Sequence, residues 1–65
     1  MRIAYDAGSG AAYIYLKEIG PNEVARTIAG EGEATGIQLD FDAGGRLIGI
    51  EVLDAAARLP REALR

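Results

Sequence analysis

Sixty-five residues, 49% of them apolar and 26% charged, describe one small globular domain (residues 1–65) and exclude a disordered chain. With no cysteine and no histidine, a disulfide framework, a thiolate zinc site and a histidine general base are all excluded. Ten acidic residues against seven basic ones give a net charge of -3, the wrong sign for a phosphate backbone.

Direct nucleic-acid binding is therefore not expected, and the acidic balance suits a basic protein partner. No apolar run approaches the ~18 residues that a membrane helix needs. The N-terminal MRIAYDAGSG has no apolar stretch of signal-peptide length. The expected location is the cytoplasm, with no membrane partner.

Nine glycines and two prolines punctuate the sequence at fairly even spacing, the pattern of short strands joined by turns. The first strand is expected over residues 2–6, with Ile3 and Tyr5 on one side. Ala7-Gly8-Ser9-Gly10 is a turn, and a second strand spans residues 11–17. A four-residue loop places Tyr5 opposite Ala12 and Ile3 opposite Ile14, so the apolar faces coincide. Ile19-Gly20-Pro21-Asn22 is a turn, and a third strand is expected over residues 23–29. Val24, Arg26 and Ile28 share one side of it, and the pattern does not say which side is buried.

The clearest alternation comes next. Residues 35–42 set Ile37, Leu39 and Phe41 against Gln38, Asp40 and Asp42. Residues 46–53 set Ile48, Ile50 and Val52 against Leu47, Gly49, Glu51 and Leu53. A two-residue loop puts Phe41 opposite Ile48, Leu39 opposite Ile50 and Ile37 opposite Val52. A three-residue loop mixes the faces unless a bulge restores the phase, so an even loop, or an odd one with a bulge at a glycine, is expected. Asp54 is placed to cap a helix over residues 55–59, and Pro60 ends it. Residues 61–65 form a second short turn or a fraying tail.

These elements make an α+β fold, a four- to five-stranded antiparallel meander followed by a short helix. Its apolar face, Ile3, Tyr5, Ile14, Leu16, Ile37, Leu39, Phe41, Ile48, Ile50 and Val52, needs a second layer. A two-turn helix of alanines and Leu59 is too small to supply it; either the sheet curls strongly on itself or a second copy of the chain supplies the layer, and the second is favoured. Ile37, Leu39, Phe41, Ile48, Ile50 and Val52 are accordingly interface candidates. Tyr13 and Tyr15 point the other way, either to meet a partner or to lie under the helix, while Tyr5 belongs to the core.

Chemistry is sparse. Asp40, Asp42 and Glu51 project from one side of the last hairpin and are the only set for a divalent metal or for acid–base work; outward carboxylates are also the ordinary surface of a sheet. Ser9 has no histidine to activate it and is a turn serine. The glycine pairs lack the lysine and hydroxyl residues of a phosphate loop, and no cofactor is implied. Gly49 inside a strand points to a bulge or to close approach of a backbone or a ring.

Three stretches carry a family resemblance: Tyr5-Asp6 followed by Ala11-Ala12-Tyr13-Ile14-Tyr15-Leu16; Gly36-Ile37-Gln38-Leu39-Asp40-Phe41-Asp42; and Gly45-Arg46-Leu47-Ile48-Gly49-Ile50-Glu51-Val52-Leu53-Asp54-Ala55. The chain resembles the bacterial and archaeal domain of unknown function 2283. Gly10 and Gly44 stand where members often have acidic residues. The resemblance implies a small antiparallel sheet with a short helix, a bacterial source and no established activity. It also points to an antitoxin-type partner role. The expected function is a non-enzymatic protein-interaction module working as a homodimer. The alternative is a small ligand- or divalent-metal-binding domain using the acidic side of the hairpin.

Overall fold

The computed structural model of the chain describes residues 1–64. Five strands, β1 (Arg2–Asp6), β2 (Ala11–Tyr15), β3 (Arg26–Ala29), β4 (Ile37–Phe41) and β5 (Leu47–Val52), form one sheet. A single helical turn, α1 (Ala55–Arg58), follows, and 3₁₀ turns lie at Gly32–Ala34 and Arg61–Leu64. The fold is thus mostly β, with less helix than the α+β expectation. Arg65, the last residue of the expected terminal turn, lies outside the described residues. No described helix is long and apolar enough to cross a membrane.

All pairings are antiparallel, but the order is β1-β2-β5-β4-β3. The expected meander is therefore replaced by a Greek-key order, in which residues 16–25 carry the chain from β2 to the far edge. The reason lies in composition. β5 has the most aliphatic side chains and takes the centre, where neighbours cover both flanks. β3 offers one large aliphatic residue and an arginine and goes to an edge, with all four residues exposed. It is also shorter than expected, beginning at Arg26.

The first hairpin has the expected register, with Tyr5 opposite Ala12 and Ile3 opposite Ile14. Its turn is held by Gly8 N–H donating to Asp6 Oδ1 at 2.9 Å and Ala11 N–H donating to Ser9 Oγ at 3.2 Å. The second hairpin closes through an odd loop. Asp42 N–H donates to Arg46 O at 2.9 Å, and Gly45 takes the left-handed conformation at φ 85° that favours glycine. Asp42 Oδ1 accepts from both Gly44 N–H and Arg46 N–H.

A three-residue loop on its own would mix the faces. A bulge prevents this: Asp40 pairs with Gly49 and Phe41 with Leu47, so Ile48 is the extra residue. Phe41 thus faces Leu47 and not Ile48, while Leu39–Ile50 and Ile37–Val52 keep the even-loop register.

The C-terminal segment docks on the apolar face. Ala55 N–H donates to Gly10 O at 2.8 Å, and Leu59 and Leu64 pack beside Ala12, Val52 and Ala55. Arg58 ties it to the turn before β4 by donating to Glu33 O at 2.6 Å and also to Thr35 O. Asp54 stands at the N-cap position but with left-handed backbone angles, φ 53° and ψ 50°, and its side chain makes no cap bond. The expected carboxylate cap is therefore not formed, because that backbone turns the side chain away from the first free amides. The connection from β2 to β3 is braced by the Lys17–Glu23 ion pair and by Gly20 N–H donating to Glu23. Together these hold the Glu23 carboxyl below its ordinary pKa, the lysine bond contributing most.

Candidate functional site

Strand register sorts side chains into rows across the sheet. One row runs through every strand: Ile3, Ile14, Ile50, Leu39 and Ile28. None of the five is buried; Ile28 is 44% exposed and the others are half-buried. The row beside it, Tyr5, Ala12, Val52 and Ile37, lies nearer the C-terminal segment. There Ala12, Val52 and Ala55 are sealed, and with Ile48 they are the buried apolar residues among those described. Among the described residues no large side chain is fully buried.

This distribution of burial changes several expectations. Ile48 and Val52 are covered within the chain and leave the set of interface candidates, whereas Ile37, Leu39, Phe41 and Ile50 stay half-open. Tyr5 is not core: it lies on an edge strand beside small Ala12 and is 40% exposed. On the third strand Ile28 falls on the apolar face beside Leu39, with Arg26 next to Phe41 at 5.5 Å from its ring centre. Periodicity within a single short strand could not have linked Ile28 to Ile3; only the strand order does.

The opposite face is polar and aromatic. Tyr13 crosses Gly49 to donate its hydroxyl to Asp40 Oδ2 at 2.5 Å, and Thr27 donates to Asp40 Oδ1 at 2.6 Å. A side chain on Gly49 would collide with the tyrosine ring, so the glycine marks both the bulge beside it and an aromatic approach. Burial first, and then the hydrogen bond and charge of Asp40, push the Tyr13 phenol well above its ordinary value of 10.0. Tyr15 packs edge-on against Tyr13 with centroids 4.8 Å apart, and the Arg2 guanidinium lies 3.9 Å above the Tyr15 ring. The C-terminal segment covers the other side of the sheet, so these tyrosines are not its platform.

The three carboxylates of the candidate metal set are dispersed in role. Asp40 holds Tyr13 and Thr27, Asp42 holds the turn, and Glu51 stands between Tyr13 and Gln38. Among the described residues no three such groups are arranged to hold a metal ion. This face thus carries two aromatic rings packed edge-on and carboxylates engaged in hydrogen bonds.

This combination defines a small five-stranded antiparallel sheet with one apolar, half-covered face and one acidic, tyrosine-bearing face. Residues 2–55 match the profile of a family described as Protein of unknown function (DUF2283), and the chain belongs to that family. No curated protein and no solved structure matches it.

Proposed function

We propose that the chain is a non-enzymatic protein-interaction module of the cytoplasm. It pairs with a second copy through the apolar face and offers its acidic face to a basic protein. Neutralising a toxin with a basic surface is the concrete version that its charge favours.

The observation that carries this reading is the half-covered row of Ile3, Ile14, Ile50, Leu39 and Ile28, open at its Ile28 end. Area gives it scale. The chain exposes 4579 Å² at a mass of 6.8 kDa, where a compact monomer exposes about 4,000 Å². The excess of roughly 600 Å² fits a sheet whose apolar face is only half covered by its own chain. The radius of gyration, 11.8 Å, also exceeds the ~10.7 Å of a compact chain of this length. With no cysteine for a disulfide and no thiolate or imidazole for a zinc site, a second copy is the staple that suits a domain this small.

Sedimentation velocity over a dilution series tests the pairing. Ile28→Asp charges the exposed end of the row and should shift the species from dimer to folded monomer. Ile50→Asp, at the centre of the sheet, should abolish folding as well. A lone, stable wild-type monomer at high micromolar concentration would remove the proposal.

A further inference from the structure

The sheet ends in β1 on one side and β3 on the other, and the two edges are built differently. β1 carries a charge at each end, Arg2 and Asp6, and the Arg61–Leu64 turn packs beside it. β3 reads Arg-Thr-Ile-Ala, with all its residues exposed and no proline or lysine to blunt the edge. Gly30 N–H donates to Ile37 O, which fixes the phase of the β3–β4 ladder. Alternation then turns the backbone of Ile28 toward β4 and leaves the N–H and C=O groups of Thr27 and Ala29 pointing out of the sheet. Opposite charges flank this stretch: Arg26 before it, Glu31 and Glu33 after it. Among the described residues none of these three takes part in an ion pair.

We propose that the β3 edge takes a second copy of the chain: the two β3 strands pair antiparallel about a two-fold axis at Ile28 and join the two sheets into one. The strand is complementary to itself in this register. Thr27 lies opposite the partner's Ala29, so every outward N–H and C=O of both residues is bonded across the axis. Ile28 meets its own counterpart in a non-hydrogen-bonded pair, where side chains come closest, and the half-covered apolar rows run on into one another. The neighbouring in-phase registers set Ile28 against Arg26 or Gly30 and leave part of the ladder unbonded. Charge selects the same arrangement. Antiparallel pairing brings Arg26 of each copy beside the acidic Glu31 and Glu33 of the other, whereas parallel pairing aligns arginine with arginine. The inference rests on the self-pairing reading and names the surface where the copies meet; a pairing of faces alone leaves this edge unbonded.

Amide hydrogen exchange of the full chain, read residue by residue by NMR in dilute and concentrated solution, tests the contact. Ile28 should be protected in both, because its N–H bonds within the chain. The amides of Thr27 and Ala29 should exchange freely when dilute and become protected when concentrated. Ala29→Pro is the second arm. Proline removes an outward N–H and suits an edge strand, so the bonds to β4 stay in place. Sedimentation should show dimerisation weakened about tenfold, since each copy loses one donor to the other. The far-ultraviolet circular dichroism should be unchanged; if the proline variant does not fold, the exchange data decide alone. A wild-type dimer with freely exchanging Thr27 and Ala29, or a folded Ala29→Pro dimer of full affinity, overturns the edge and leaves the pairing of faces standing. A wild-type chain that stays monomeric overturns both.

Discussion

A methyl group at Gly49 would overlap the Tyr13 hydroxyl oxygen and sit 2.6 Å from the ring carbon bearing it. Gly49→Ala therefore forces the ring aside and breaks its bond to Asp40. The expected loss is about 1–3 kcal/mol, the range for a hydrogen bond to a charged group left unmade. In a Tyr13→Ala background the same substitution meets no ring and should cost far less; urea unfolding of the four proteins measures that coupling. The phenol gives a second handle. Its folded pKa is raised, so the protonated form stabilises the fold. That stability is fully present below the unfolded value of about 10 and is lost as pH climbs above it. An alkaline decline in unfolding free energy beginning near pH 10 should be flatter in Tyr13→Phe, which titrates nothing at this position. Gly49 was legible in the sequence as a close approach because a glycine that interrupts a strand gives up packing surface, and a neighbour must fill the space. Asp40 as the acceptor was not, since Tyr13 and Asp40 meet only after β5 intervenes between their strands.

At the scale of elements, the first hairpin's register and the Leu39–Ile50 and Ile37–Val52 pairs of the second were readable because turn length and apolar parity constrain each other, whereas the choice between an even loop and a bulged odd one was not. Strand order was not readable either. An antiparallel pair with long neighbouring connections can be threaded in several ways, and what decided here was which strand has enough apolar surface for the centre. The C-terminal segment shows a different failure of local rules. Asp54 has the sequence of a cap and the backbone of a left-handed hinge, at φ 53° without a side-chain cap bond. Capping logic alone makes Asp54→Ala costly and Asp54→Gly mildly destabilising. The observed conformation reverses the sign for glycine: Asp54→Gly should raise stability by up to about 1 kcal/mol, because the left-handed strain of a side-chain-bearing residue disappears. Asp54→Ala should lower it. Paired thermal melts distinguish the hinge from the cap, since a capping carboxylate would make both variants less stable.

At the scale of the whole molecule, the question is what covers the sheet. The sequence shows that the helix is too small, and the structure makes the shortfall local. Ala12 and Val52 are sealed against Ala55 of the docked C-terminal segment, while the neighbouring row is only half covered and lies open at Ile28. A chain completed by its own copy unfolds with a concentration signature. If folded dimer converts to unfolded monomers, a hundredfold increase in protein adds about 2.7 kcal/mol per dimer by mass action. At roughly 2.1 cal/mol/K per residue over two chains, that raises the midpoint by roughly 10 °C. Melts at 1 and 100 µM should therefore separate by about that amount for the wild type. Ile28→Asp, whose charge lands at the open end of the row, should bring the two curves together at the lower temperature. Coincident wild-type curves would mean that the single chain already holds itself closed, and the apolar row would then be surface and not interface.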